Sequence, residues 1–219
     1  MSLRRWQRWA ARERSDATQA LSNEGLPHRR WLAEYLAERV GDVSRARVLE
    51  LGCSYGPNLI ALGTIAPTWE LFGIDISAMN IDVGRERLET LGEVGSNINL
   101  AVGDITHTLP FPNSSFNVVF TDAVLLYTNP VQVRRALREM TRVGNGIVVT
   151  LELTKRDGRF RASRTTDGWL HDYPALLREL ADVQYVETLK LPPTLRSAGR
   201  WPTQGILSCA TLAPSASAD

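Results

Sequence analysis

The chain has 219 residues, 43% hydrophobic and 22% charged, which suits a globular fold with a full core and excludes a fibrous or disordered composition. A formal net charge of +1 removes any overall electrostatic demand for nucleic acid or an anionic membrane. Two cysteines, Cys53 and Cys209, lie far apart without ligand spacing, so reduced thiols, a cytoplasmic setting and no metal site are expected.

No apolar run reaches the roughly 20 residues that span a bilayer. Residues 1–14 are too rich in arginine for a signal sequence. Residues 2–40 read as helix in two pieces, parted around Gly25, Leu26 and Pro27. Trp6, Trp9 and Ala10 recur at helical spacing, as do Trp31, Leu32, Tyr35 and Leu36. Two readings stand for this segment: a pair of packing helices, or a lid that brings Trp6 or Trp9 to a ligand.

From residue 47 the pattern changes. Short apolar runs at 47–52, 70–75, 97–103, 116–121 and 146–151 read as buried strands. They alternate with helical patterns at about 57–66, 79–91 and 130–142. Such alternation implies βαβ units and a parallel sheet covered on both faces. Right-handed crossovers place the carboxyl ends of those strands on one edge. A helix near 173–182 leads to two further strands at 183–191 and 205–212, whose short connection suits an antiparallel hairpin. The expected organisation is a helical extension or lid over 1–40, one α/β domain over 41–213, and a disordered tail over 214–219.

The segment that carries chemistry runs from Val48 to Asn58, where a strand ends in a small-residue turn and feeds a helix. Glycines at 52 and 56 let the backbone approach a ligand, and the helix directs free N–H groups at it. Asp75 ends the second strand, where a carboxylate can accept from both ribose hydroxyls of a nucleoside. A dinucleotide fingerprint starting at Gly52 requires glycines at 54 and 57. Those positions are Ser54 and Pro57, which disfavours a pyrophosphate ligand.

With these motifs in order, the chain resembles the class I S-adenosylmethionine-dependent methyltransferases, and most of all the type 11 small-molecule group. The family pattern acid-x-Gly-x-Gly-x-Gly is met by Glu50, Gly52, Ser54 and Gly56, with serine at the middle glycine. Ile74-Asp75-Ile76-Ser77 resembles the acidic motif after the second strand. Val102-Gly103-Asp104-Ile105 resembles the third motif, where a carboxylate meets the adenine amino group and an apolar residue packs on the ring. The run from Leu109 to Val119 is similar to the LPFPDxSFDxV stretch that leads into the fourth strand.

The resemblance implies a Rossmann-like, doubly wound, mostly parallel seven-stranded sheet with its last strand antiparallel. It implies S-adenosylmethionine as cofactor, leaving as S-adenosylhomocysteine. The expected cofactor contacts are Glu50, Gly52, Ser54, Gly56, Asp75, Ile76, Asp104, Ile105 and Asp122. It implies an enzyme that moves a methyl group to a small-molecule acceptor, oxygen ahead of nitrogen or carbon. A non-catalytic cofactor-binding scaffold and a protein or RNA methyltransferase stand as alternatives. The capping alternative for Asp75, Asp104 and Asp122 is that each carboxylate merely closes a turn.

For the acceptor side the candidates are His171, Asp122 and Tyr127. The (Asp/Asn)-Pro-Pro-(Tyr/Phe) pattern of enzymes acting on planar amino groups is lacking after the fourth strand. Tyr127 stands where many type 11 members have histidine. His171 ranks ahead of His28 and His107 as a general base, since it lies where the family's acceptor contacts often fall. The stretch 154–169, with Lys155, Arg156, Arg159, Arg161 and Arg164, reads either as a solvated loop or as a contact for an anionic acceptor. Monomer and homodimer both remain open.

Overall fold

In a computed structural model of the chain, the described residues are 25–154, 163–164, 168–192, 194–195 and 205–214. The helical piece with Trp6 and Trp9, most of the basic loop and residues 215–219 lie outside them. The chain divides into two compact units, Met1–Ile105 and Thr106–Asp219.

The first unit holds α1 (Pro27–Val40), β1 (Arg47–Leu51), α2 (Pro57–Ile65), β2 (Glu70–Asp75), α3 (Ala78–Thr90), α4 (Glu93–Ser96) and β3 (Ile98–Val102). Proline opens both α1 and α2, where its missing N–H costs nothing because no intrahelical partner exists there. The face of α1 that carries Leu32, Ala33, Tyr35 and Leu36 is buried, and α1 packs against α2. β1 is buried from Val48 to Leu51 and pairs in parallel with β2, which pairs in parallel with β3. Burial on both faces is why β1 reads as a continuous apolar run rather than an alternation.

The second unit holds β4 (Phe116–Asp122), α5 (Pro130–Val143), β5 (Gly144–Leu153), β6 (Ser163–Arg164), β7 (Trp169–Leu170), α6 (Tyr173–Arg178), β8 (Val183–Lys190) and β9 (Gly205–Leu212). A capping box starts α5. Asn129 Oδ1 accepts from Val131 N and Gln132 N, and Gln132 Oε1 accepts from Asn129 N. Val133, Ala136, Leu137, Met140 and Val143 recur at helical spacing and are buried, so the helix is amphipathic.

Glu139 and Arg142 on the same helix hold the strand-leading run. Glu139 accepts from Leu109 N at 2.8 Å, and Arg142 donates to Leu109 O, Phe111 O and Asn113 Oδ1. The conspicuous sequence run 109–116 is thus a fixed, hydrogen-bonded lead into β4.

The strands lie in the order β3-β2-β1-β4-β5-β9-β8, with β6 and β7 a separate pair. β4 and β5 are parallel, while β9 is antiparallel to both β5 and β8. This is the doubly wound, mostly parallel seven-stranded sheet with an antiparallel last strand that the sequence predicts. Among the described residues no helix is long and apolar enough to cross a membrane.

Candidate cofactor site

Eight of the predicted site residues fall in the first unit, at the carboxyl ends of its three strands. Glu50 is the penultimate residue of β1 and is 1% exposed. Asn58, in the first turn of α2, donates from Nδ2 to Glu50 Oε1 at 2.7 Å. Arg29 on α1 donates from Nη1 to Asn58 Oδ1 at 3.0 Å. The chain Arg29–Asn58–Glu50 fixes which end of the amide faces which partner, and links α1 to the end of β1.

The turn after β1 is left-handed at every second residue. Gly52 has φ 76°, Ser54 φ 54° and Gly56 φ 86°. This spacing explains the glycine pattern, since L-residues resist that region by about 1–2 kcal/mol. Ser54 takes the middle position at that cost, and its Oγ accepts from Asn80 Nδ2 at 3.2 Å. Gly52 N and Cys53 N both donate to Ile74 O, and Gly56 N donates to Cys53 O. The thiol of Cys53 is buried under the turn. Burial, then the charges of Glu50 and Asp75, push it well above the usual thiol range, so it is inert.

Asp75 joins two turns. Its Oδ2 accepts from Ser54 N and its Oδ1 from Ser77 N, both at 2.8 Å, while its carbonyl accepts from Gly103 N. Burial raises its carboxyl pKa, and the amide donors pull the other way. A carboxylate offers about four acceptor positions, so both oxygens of Asp75 serve a turn without being used up. Ser77 itself caps α3, accepting from Asn80 N. Gly84 lets α3 approach, since a Cβ there would lie 2.7 Å from Tyr55 O.

Ile76 and Asp104 are half-buried and Ile105 is buried, in the loops that follow β2 and β3. Gly103 N bound to Asp75 O brings the third motif beside the second.

Asp122, Tyr127 and His171 lie in the second unit. Asp122 ends β4 and is half-buried, as is Tyr127 at the end of a 3-10 turn, Leu125–Tyr127. His171 is 3% exposed, stacked on Trp169 and edge-on to Tyr173. Its Nε2 meets Thr128 O at 2.9 Å and therefore carries the proton. Its own carbonyl accepts from Thr154 Oγ1 at 2.8 Å. Burial lowers its pKa, so the ring is neutral at physiological pH. His107 is exposed and His28 is buried.

Three residues in these networks escape a sequence reading. Asn58 and Asn80 are amides whose partners depend on folding. Glu152 on β5 is fully buried, and its Oε1 accepts from Val124 N at 3.0 Å and Leu125 N at 2.9 Å. A lone acid inside the apolar run of β5 is the available signal, because unpaired carboxylates avoid such positions. Among the described residues no group of three His, Cys, Asp or Glu side chains converges on a metal position.

Residues 48–145 match the family of methyltransferase domains. A demethylmenaquinone methyltransferase from Staphylococcus aureus is 32% identical over 131 residues, covering 58% of this chain and 51% of the relative. The chain therefore spans about half the length of the curated relatives it matches. Among solved structures, a putative O-methyltransferase from Nostoc punctiforme aligns with a TM-score of 0.67 at 19% identity, over 88% of this chain and 58% of that one. Geranyl diphosphate C-methyltransferase from Streptomyces coelicolor A3(2), with S-adenosylhomocysteine bound, aligns at 0.63 and 18% identity, over 83% and 80%. The [4+2]-cyclase SpnF aligns at 0.66 and 18%, over 85% and 82%. At these identities the structural matches speak for the fold.

Proposed function

We propose that this chain is a class I adenosylmethionine-dependent methyltransferase that moves a methyl group from S-adenosylmethionine to a small-molecule acceptor, a reading supported by the match of residues 48–145 to the family of methyltransferase domains. The observation that carries this reading is the Asp75 carboxylate. It is anchored through one oxygen to Ser54 N and through the other to Ser77 N, at the end of β2 beside a left-handed turn. Its two oxygens suit the two ribose hydroxyls of a nucleoside. Glu50, Gly52, Ser54 and Gly56 then line the methionine side, while Asp104 meets the adenine amino group, and Ile76 and Ile105 its ring.

The cofactor is S-adenosylmethionine. In the transfer, the acceptor's lone pair forms a bond to the methyl carbon as the carbon–sulfur bond breaks in line. The electron pair passes to sulfur, leaving neutral S-adenosylhomocysteine, and the acceptor loses a proton. The protein aligns donor and acceptor at about 3 Å and keeps water out, which supplies several kcal/mol without a dedicated base. His171 is the base we propose where one is needed, with Asp122 and Tyr127 as the further acceptor-side candidates.

Oxygen is the proposed acceptor atom, since the planar-amine pattern is lacking after β4. The relative that acts on demethylmenaquinone and the neighbour that binds geranyl diphosphate support a small metabolite as acceptor. The second reading, a domain that binds the cofactor without consuming it, draws on the neighbour named as a [4+2]-cyclase. Incubation with methyl-labelled cofactor and a metabolite extract separates the two. Transfer of label to a small molecule supports the first reading, and intact cofactor with no labelled product supports the second.

A further inference from the structure

The face of β4, β5 and β9 that carries Thr150 changes character along its length. Val119, Val148 and Ala210 form an apolar row across the three strands. The next row on the same face is Thr121, Thr150 and Ser208. Beyond it come Glu152 on β5 and then Thr154, just past the strand's end. All five polar side chains are at most 2% exposed. Tyr173, in the first turn of α6, is 1% exposed, and burial, then the charge of nearby Glu152, pushes its phenol well above the usual range.

A buried polar row inside an apolar core is costly unless it serves something, at about 1–3 kcal/mol for each unpaired group. Here Thr150 Oγ1, Ser208 Oγ and Tyr173 Oη have no hydrogen-bond partner among the described residues. Glu152 Oε1 is fully used, by Val124 N and Leu125 N. Those two amides directly follow Ala123, a non-glycine residue held at φ 59° with its N–H on Leu151 O. The far end of the same segment is held by His171 Nε2 on Thr128 O. The strained turn that carries Asp122 and Tyr127 is therefore tied at both ends by buried titratable groups.

We propose that Glu152 is a positioning residue, which holds the Val124–Leu125 turn and through it the placement of Asp122 and Tyr127, more tightly as carboxylate than as carboxylic acid. A charge-assisted hydrogen bond is shorter and about twice as strong as a neutral one. Both amide donors sit on Oε1, which leaves Oε2 to take the proton, so the two bonds to Oε1 persist in both forms and change only in strength. The titratable groups that face Glu152 are Asp122 at the end of β4 and Tyr173 on α6, while β9 sets uncharged Ile206 opposite it. Burial, opposed by the two amide donors, raises the carboxyl to about 7. The role at the acceptor side rests on the methyl-transfer reading.

The test follows the Val124 and Leu125 amides of the full chain by ¹⁵N NMR as pH rises through neutrality. Both amide protons are expected to shift together downfield with a common midpoint near neutral pH, and the shift is expected to be lost in Glu152→Gln. Amides of the wild type that do not titrate overturn the proposal, and so does an unchanged titration in Glu152→Gln. The wild-type titration needs no variant to fold. Binding of adenosylhomocysteine, measured on the same sample, reports on the methyl-transfer reading separately. Titrating amides without binding support Glu152 as the holder of the turn and count against that reading alone.

Discussion

Asp75 Oδ2 accepts the Ser54 amide proton at 2.8 Å, so the carboxylate that ends β2 also closes the left-handed turn after β1. One side chain therefore sets both the shape of the turn and the hydrogen-bonding edge offered to a ligand. Replacing it with alanine removes the proposed ribose acceptor and leaves two amides without their partner. Asp75→Ala is expected to weaken adenosylhomocysteine binding at least tenfold, which corresponds to about 1.4 kcal/mol. Isothermal titration of the variant against the wild type checks this.

Ser54 offers a test of the turn's strain. Alanine there keeps the left-handed cost and loses the bond from Asn80, whereas glycine loses the bond but not the comfort of the conformation. Ser54→Ala is expected to be less stable than Ser54→Gly by about 1 kcal/mol in urea denaturation. Equal midpoints for the two variants would contradict the strain argument.

Arg142 makes hydrogen bonds to Leu109 O, Phe111 O and Asn113 Oδ1 and pairs with Glu139, whose carboxyl is held below the usual range chiefly by that guanidinium. Arg142→Met is expected to destabilise the second unit by about 1–3 kcal/mol by stranding Glu139 and loosening residues 109–113. Thermal unfolding measures the loss. Binding of the cofactor product is expected to change far less than in Asp75→Ala, because every expected contact but Asp122 lies in the first unit.

The pH dependence has a definite sign. Glu152 has its folded pKa raised from 4.5 to about 7, so the folded state holds a proton that the unfolded chain has released. Its contribution is fully present below the unfolded pKa and is lost as pH rises through the folded one. Between about pH 4.5 and 7 the wild type should lose on the order of 3 kcal/mol relative to Glu152→Gln. Depression of His171 works in the opposite direction, so the comparison must be made between those two proteins rather than read from the wild type alone. Parallel stability curves for the two would remove the raised carboxyl from the account.

Much of the fold is legible because its signals are local. β1 and β4 are buried on both faces and read as apolar runs, and α5 has an amphipathic face behind a capping box. The short pieces were not legible: the pair β6 and β7, the 3-10 turn and α4 are too brief to show a period. β5 starts at Gly144 rather than at residue 146, because it follows α5 without a loop and pairs with Phe116 across a bulge.

In the candidate site, Asp75 and the glycine turn are legible from spacing, and Glu50 from the family pattern it resembles. Glu152 could not, because its partners lie 27 and 28 residues away and meet it only through the register of β4 on β5. His171 was singled out from its position in the chain. Its tautomer and its hold on Thr128 belong to the folded unit.

The most direct test of the central claim is calorimetric titration of the full chain with adenosylhomocysteine. The account predicts saturable one-site binding in the micromolar range, lost or weakened at least tenfold in Asp75→Ala. A wild type that gives neither heat nor thermal shift with adenosylhomocysteine or adenosylmethionine would contradict it.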